Sequence, residues 1–310
     1  MKVFSSDRFV LPLPDGHRFP MVKYGRLRER VLEELPDVEV VEPEPAGDHV
    51  LALAHDVEYV DRVVHGRLSA LEQRTIGFPW SPQMVERSRR SVGATLGACK
   101  TALREGVAVN LAGGTHHALR GSGQGYCVFN DAAIATRALQ ADQPATRRIR
   151  VAIVDLDVHQ GNGTASILSG EDACFTLSIH CEANFPFRKE RGDLDIGLAA
   201  GTGDQEYLQS LDRAFERMLA RFSPDFIIYL AGADPHADDR LGRLNLSTAG
   251  LVRRDERVFD LARELDVPIA VAMAGGYGHD VEQTVAVHFN TVRAALDHWR
   301  RRDRNLKEDS

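Results

Sequence analysis

The chain has 310 residues, of which 43% are hydrophobic and 27% are charged. This composition excludes the disordered and fibrous classes of protein and supplies enough apolar material for a large core. Acidic residues outnumber basic residues by 45 to 38, for a net charge of -7, so nucleic acid is disfavoured as the main partner.

The expected cellular location follows from the N-terminal residues and the cysteines. Residues 1–7 contain no apolar stretch like that of a signal peptide, and no run approaches the roughly 18 apolar residues of a membrane span. Cys99, Cys127, Cys174 and Cys181 form no CxxC pair and are expected to be buried free thiols. We therefore expect a cytoplasmic protein that does not bind membranes.

The first hundred residues are predicted to form a helical shell. Apolar residues at helical spacing predict helices over residues 22–35 and Val57–Val64, and the proline-rich stretch 42–47 interrupts regular structure between them. Ser81 followed by Pro82 predicts the N-cap and first turn of a long helix. Gly106 is expected to end that helix.

From residue 107 the pattern changes to short apolar runs separated by amphipathic segments. The runs predicted to be strands are 107–111, 149–154, 174–179, 226–230 and 269–273. Continuous apolar strands that alternate with helices are typical of a parallel sheet buried on both faces. The predicted fold class is α/β, with one domain over residues 1–310, a mostly parallel central sheet, helices on both faces and a charged, frayed tail from about residue 300.

Residues suited to catalysis follow four of these strands directly. They are His116 and His117 after the first strand, Asp155, Asp157 and His159 after the second, Asp234 after the fourth and Tyr277 after the fifth. In open parallel sheets the ligand site lies beyond the carboxyl ends of the strands. We therefore expect these side chains to converge on one crevice.

The pair Asp157 and His159 predicts a metal site. Residues two apart in an extended segment point to the same side, so the carboxylate and the imidazole could hold one cation. A third ligand would complete the arrangement of a catalytic zinc, and Asp234 is the best candidate. The alternative is that these groups cap helices or bind loop amides, but the density of ligands around Asp155 favours a metal.

Two further patterns predict roles in proton transfer and charge stabilisation. Adjacent histidines after Gly-Gly are poor packing material, because their four ring nitrogens need partners, and His116 and His117 therefore suit proton transfer. Asp155 and Asn162 are the candidates to orient the two rings through Nδ1. Tyr277 follows a Gly-Gly pair that permits close approach to a ligand, and its phenol could donate a hydrogen bond to an oxyanion.

Taken in order, the motifs resemble those of zinc-dependent histone deacetylases. They are GGTHHA at 113–118, GYCVFND at 125–131, DLDVH at 155–159, GAD at 232–234 and GGY at 275–277. The segments 155–163 and 239–242 are most similar to the class IV branch and its prokaryotic relatives. The resemblance covers about residues 20–296 and implies the arginase/deacetylase fold, with hydrolysis of an N-acyl-lysine or a related acylated amine.

The resemblance also implies which ions are bound. Asp157, His159 and Asp234 match the zinc ligands of the family. Two carboxylates and one imidazole are hard enough as ligands that Fe²⁺ is an alternative to Zn²⁺. A structural K⁺ is expected nearby, where Asp155, Asp157, His159 and Ser178 would fall.

Catalytic roles are carried over by position in the same way. His117 matches the general base and acid, and His116 matches the neighbouring histidine, with Asp155 as its carboxylate partner. Tyr277 matches the oxyanion tyrosine. Asn162 stands where many members have Asp as the partner of His117, and an amide should leave His117 less basic than a carboxylate would.

Substrate contacts are implied more loosely. Gly125 and Tyr126 match the motif that lines the acyl-lysine tunnel, although many relatives have Phe in place of Tyr126. Phe185 and Phe187 are expected on the second wall, and Gly276 is expected to let the substrate approach.

Two alternative functions stay open at this point. One is a ureohydrolase of the arginase type, which uses two manganese ions, and the other is a non-catalytic module that binds acyl-lysine. The substrate itself is also open between an acylated lysine in a protein or peptide and an acylated small amine such as a polyamine, and the sequence does not indicate an oligomeric state.

Overall fold

In the part of the chain that the structure describes, eight strands form one sheet. A computed structural model describes residues 1–142 and 148–308, with side chains through Arg302. The strands are β1 (Lys2–Phe4), β2 (Glu39–Val41), β3 (Val107–Asn110), β4 (Val151–Asp155), β5 (Cys174–Cys181), β6 (Leu194–Leu198), β7 (Phe226–Leu230) and β8 (Ile269–Ala272). Their order is β2-β1-β3-β8-β7-β4-β5-β6, and every described pairing is parallel.

Helices cover both faces of this sheet. They are α1 (Val22–Glu34), α2 (Asp48–Leu51), α3 (Val57–Val64), α4 (Ala70–Ile76), α5 (Pro82–Glu105), α6 (Asp131–Ala141), α7 (Asn162–Leu168), α8 (Asp204–Leu219), α9 (Thr248–Glu264) and α10 (Val281–Glu308). Buried residues of α1, α8, α9 and α10 form one core, and those of α2 to α7 form the other. Alternate residues of each central strand enter opposite cores: in β7, Tyr229 enters the first and Ile228 the second. The predicted α/β class is confirmed.

Helix α5 begins and ends where the sequence predicts. The Ser81 hydroxyl accepts a hydrogen bond from the Met84 amide at 3.0 Å, and Pro82 occupies the first turn. Gly106 ends the helix with a positive φ of 86°, a conformation that costs glycine little.

The prediction that the first hundred residues form a helical shell omits two strands. These residues contribute β1 and β2, and β1 lies between β2 and β3 in the sheet. Each of these two strands has three residues, which is too few to show the alternation that identifies a strand in a sequence. Strand β6 is also absent from the predicted strands. It is not a continuous apolar run, because exposed Asp195 lies between its buried ends.

Helix α10 continues through the described part of the charged tail to Glu308. Arg300 forms an ion pair with Asp37, and Arg302 forms one with Asp266. These pairs tie the end of α10 to neighbouring segments. Residues 309–310 of the predicted tail lie outside the described residues.

Two expectations about the chain as a whole can be compared with the structure. The four cysteines are buried and form no disulfide, as predicted. None of the described helices combines the length and the apolar character required to cross a bilayer.

His55 is a buried histidine whose two partners fix it in the neutral form. It is 2% exposed; its Nδ1 lies 3.1 Å from the carbonyl oxygen of Arg120, and its Nε2 accepts a hydrogen bond from the Asn130 amide at 2.9 Å. A proton on Nε2 would point at the hydrogen of that amide, so the protonated form of His55 is disfavoured. Burial lowers the pKa of His55 to about 4.

We predict that His55 makes the protein less stable as the pH falls from about 6.5 to 4. The unfolded histidine takes up a proton near pH 6.5 and the folded one only near pH 4, so the stabilisation is complete above 6.5 and is lost below it, by about 3 kcal/mol at pH 4. Urea unfolding of His55→Gln at several pH values should show a shallower dependence than wild type. His65→Gln, at a side chain 58% exposed, should keep the wild-type slope. Equal slopes for all three proteins would contradict the assignment.

Candidate active site

The carboxyl ends of the central strands meet at a cavity of about 630 Å³. The loops that follow β3, β4 and β8 contribute His116, His117, Asp157, His159 and Tyr277 to its lining. The predicted convergence of these loops on one crevice is therefore confirmed. Asp234, which follows β7, lies directly beneath and is fully buried.

Asp157 and His159 lie on the floor of the cavity, and Asp234 lies against them from below. One potential ligand atom from each lies within 4.8 Å of the others, and all three residues are buried. The Nδ1 atom of His159 is 2.9 Å from Asp157 Oδ1 and 3.2 Å from Asp234 Oδ2. These three side chains can hold one divalent cation between them.

The hydrogen bonding of the two carboxylates fits a cation at this point. Asp157 Oδ2 accepts from the Gly275 amide at 2.8 Å, and Asp234 Oδ1 accepts from the Val158 amide at 2.9 Å. Asp234 Oδ2, in contrast, is buried and forms no well-aligned hydrogen bond with the described residues, although His159 Nδ1 lies 3.2 Å away. Burial, together with the charge of Asp157, raises the pKa of Asp234 to about 7. A metal ion would supply the missing partner and relieve the repulsion between the two carboxylates.

Above this floor lie the two adjacent histidines, with ring centroids 4.1 Å apart. His116 Nδ1 is 2.7 Å from Asp155 Oδ2, and His117 Nδ1 is 2.7 Å from Asn162 Oδ1. Both pairings are the predicted ones. An amide oxygen only accepts hydrogen bonds, so His117 carries its proton on Nδ1, and its Nε2 lone pair has no hydrogen-bond donor among the described residues.

The two histidines differ in charge because their partners differ. Burial lowers the pKa of His116, but the carboxylates of Asp155 and Asp157 outweigh it and raise the value to about 9. For His117 burial lowers the pKa well below the usual range, and the positive charge of His116 adds to this effect. The carboxylates beside His116 therefore favour its protonated form, whereas burial favours the neutral form of His117.

Asp131 holds the loop that carries the two histidines, a role that sequence reasoning missed. Its carboxylate accepts hydrogen bonds from the amides of Gly114 and Thr115, at 2.9 and 2.8 Å, and from the Thr95 hydroxyl at 2.6 Å. The residue is fully buried. The sequence does contain a signal for this residue, because Asp131 is the last residue of the motif at 125–131.

Tyr277 is fixed through its backbone by residues that are distant in sequence. Its amide donates to Asp239 Oδ2 at 2.6 Å, and its carbonyl accepts from Arg240 Nε at 2.8 Å. The preceding carbonyl, that of Gly276, accepts from the Nζ of Lys23 at 3.0 Å, and Lys23 is only 2% exposed. Gly276 itself is not among the residues that line the cavity. Its carbonyl oxygen contacts Lys23 instead.

Aromatic rings form the walls above the floor. Tyr126, half-buried, stands on one side, and Phe185 on the other packs edge-on against His117 at 4.8 Å. Phe187 also lines the cavity but is 87% exposed, so it lies at the mouth. Gly125 has a positive φ of 55°, and a Cβ there would lie 2.8 Å from the His117 ring. Only glycine fits this approach.

The fold and the site together define a hydrolase of the deacetylase type. A family model described as the histone deacetylase domain matches residues 17–292. The chain belongs to the histone deacetylase family.

Its relatives include both prokaryotic and plant proteins. An uncharacterized protein of Picosynechococcus sp. is 43% identical, over 93% of this chain and 96% of its own length. Histone deacetylase 2 of Arabidopsis thaliana is 31% identical, over 91% and 75% of the two chains, and the acetoin utilization protein AcuC of Bacillus subtilis is 31% identical, over 83% and 70%.

A solved structure confirms the fold. The crystal structure of an HDAC homolog complexed with SAHA has a TM-score of 0.80 to this chain, with 24% sequence identity, and the match covers 95% of this chain and 83% of the other.

We predict that Gly275→Ala weakens binding of a divalent metal about 10- to 100-fold. An added Cβ would overlap Asp157 Oδ2 and Asp234 Oδ2, and would therefore displace two carboxylates of the candidate metal-binding group. Zinc titration followed by elemental analysis measures the effect. Gly25→Ala, in α1, has no neighbour within 4 Å of the new methyl group and should bind metal like wild type. Wild-type affinity in Gly275→Ala would show that the ion lies elsewhere.

Proposed function

We propose that this chain hydrolyses the amide bond of an N-acyl-lysine or a related acylated amine, using a bound metal ion. One observation carries the proposal: the buried group Asp157, His159 and Asp234 lies on the floor of the same cavity that His116, His117 and Tyr277 line. An amide is unreactive because its carbonyl is a weak electrophile and its amine is a poor leaving group. The cavity has a candidate group for each of these difficulties.

Asp157, His159 and Asp234 would hold the ion, which we propose to be Zn²⁺, with Fe²⁺ as the alternative that this ligand set also suits. When bound, such an ion supplies Lewis acidity, which polarises a carbonyl and acidifies water. A structural K⁺ near Asp155 and Ser178 stays part of the proposal.

His117 is the proposed general base and acid. Its free Nε2 can accept the proton of an attacking water, and the same nitrogen can then protonate the leaving lysine amine. Asn162 holds the Nδ1 proton in place and so keeps Nε2 available. His116, cationic beside Asp155, supplies positive charge next to the developing oxyanion.

Tyr277 is the proposed oxyanion donor. Burial raises the pKa of its phenol well above the usual value, and the charges of Asp157 and Asp234 add to the increase. The hydroxyl therefore keeps its proton at neutral pH and can donate a hydrogen bond to the tetrahedral oxyanion. Asp239 and Arg240, which bind its backbone, set its position.

The two other functions are less well supported by the site. A binuclear ureohydrolase needs a second set of ligands, and the described residues contain one group of three or more candidate ligands. A pure binding module would not need an oriented base.

The substrate class proposed is an acylated lysine in a protein or peptide. The buried free cysteines suit a reducing, cytoplasmic location.

We predict that Tyr277→Phe lowers kcat for an acetyl-lysine peptide about 100- to 1000-fold, because one oxyanion donor is lost. Metal content, measured by elemental analysis, should stay at the wild-type level. Tyr207→Phe removes a buried hydroxyl from α8, outside the cavity, and should keep wild-type activity. Unchanged kcat in Tyr277→Phe would remove this residue from the mechanism.

We predict that His117→Ala lowers kcat about 100- to 10,000-fold through loss of proton transfer. Peptide affinity, measured by fluorescence anisotropy, should change little, which separates catalysis from binding. His65→Ala, at an exposed position on the surface, serves as the control. If the wild-type protein is inactive, and if it and the variant bind the peptide with equal affinity, the result would instead support the binding module.

A further inference from the structure

Four arginines surround the mouth of the cavity, and we refer to Arg18, Arg74, Arg240 and Arg243 as the arginine rim. All four line the cavity and are exposed. They come from three separate segments: the loop before α1, helix α4, and the loop that follows Asp239. Because distant segments bring them together, the rim is a feature of the folded cavity.

In the part of the chain that the structure describes, the arginine rim is not paired with carboxylates. Among the described residues, none of the four guanidinium groups has an acidic partner within ion-pair distance, and the only acidic residue that lines the cavity is Asp157 on its floor. Asp239, the nearest acidic residue in sequence, uses its carboxylate to bind the amides of Tyr277, Leu241 and Gly242. The mouth is therefore a region of positive charge on a chain whose net charge is -7.

Arg240 and Arg18 are held close to each other and to the channel wall. Arg240 Nε donates to the Tyr277 carbonyl at 2.8 Å, and its Nη2 lies 3.3 Å from the carbonyl oxygen of Arg18. Both positive charges also act on the Tyr126 phenol: burial raises its pKa, and the two arginines oppose that increase. The positive potential thus reaches the aromatic wall through which a substrate would pass.

Resting on the function proposed above, we propose that the preferred substrate is an acyl-lysine that carries carboxylate groups beside the acylated side chain. Guanidinium groups bind carboxylates through paired hydrogen bonds, and a cavity with low-dielectric walls concentrates their field. An acylated polyamine keeps a free ammonium group, which the rim would repel. The structure therefore favours anionic acyl-lysine substrates over cationic amines.

The carboxylates could be Asp or Glu side chains that flank the lysine, or the α-carboxylate of a free acyl-lysine. Both present the same chemistry to the rim. Two comparisons separate them: a flanked peptide with a blocked C-terminus, and Nε-acetyl-lysine as free acid against its amide.

The test measures kcat/KM for three acetyl-lysine peptides of equal length, flanked by Asp, Asn or Lys, together with an acetylated polyamine. The wild-type enzyme should prefer the Asp peptide over the Lys peptide about tenfold or more at low ionic strength, and salt near 0.5 M should remove most of this preference. The polyamine should be the poorest substrate. Equal values for the three peptides, or a preference for Lys, would overturn the proposal.

A charge variant tests whether the rim is responsible. Arg18→Gln/Arg74→Gln/Arg243→Gln should lower the ratio of the Asp to the Lys peptide toward one. Arg240 is left intact because it also holds Tyr277. Arg213→Gln removes one positive charge from the exposed face of α8 and should keep the wild-type ratio, whereas each single variant of the rim should lower it. A ratio that stays high in the triple variant would overturn the role of the rim, and the salt dependence of the wild type tests the charge preference without any variant.

Failure of the proposed function gives a different result. If no peptide is hydrolysed, including the neutral one, deacylation is contradicted. The rim is then judged by peptide binding alone, with the fluorescence anisotropy of the Asp and Lys peptides on the wild-type protein. Tighter binding of the Asp peptide supports the rim, and equal binding overturns it.

Discussion

The buried pair of carboxylates, Asp157 and Asp234, is the constraint on which this structure depends. Two acidic groups at 1% and 0% exposure repel each other in a medium that screens charge weakly. Each also joins separate loops: Asp157 binds the amide of Gly275, and Asp234 binds the amide of Val158. The groups proposed to hold the metal therefore also hold the ends of β4, β7 and β8 together, and binding of an ion there would be coupled to the folding of the cavity floor.

Much of the fold and the centre of the site could be predicted from the sequence. Long apolar strands such as β7 are buried on both faces, so their composition identifies them without any periodicity. A parallel sheet then places the carboxyl ends of its strands at one edge, which brings Asp157, Asp234 and Tyr277 together before any coordinate is known. The candidate role of His116 and His117 could be predicted from the local sequence alone. Their hydrogen-bond partners could be predicted as well, because these partners lie at the end of another strand.

The parts that escaped prediction depend on contacts between residues far apart in the chain. Strands β1 and β2 are short, and only pairing with β3 makes them part of the sheet. Lys23 reaches Gly276 across 253 positions, and no local pattern marks that lysine as buried. Of the two phenylalanines expected on the second wall, Phe185 contacts His117 whereas Phe187 lies at the mouth, a distinction that depends on the path of the loop.

The cavity changes character from floor to mouth, and the order of its layers matters for how a substrate is oriented. Carboxylates and imidazoles at the floor suit a metal ion and a polar amide. The aromatic layer of Tyr126 and Phe185 suits an uncharged acylated side chain, which loses little on leaving water. Above the aromatic layer, the arginine rim at the mouth can bind charged groups of a substrate. For the substrate proposed above, the neutral acyl group would reach the floor while the carboxylates of the same molecule stay at the mouth, so the order of the layers would determine which end of the molecule meets His117.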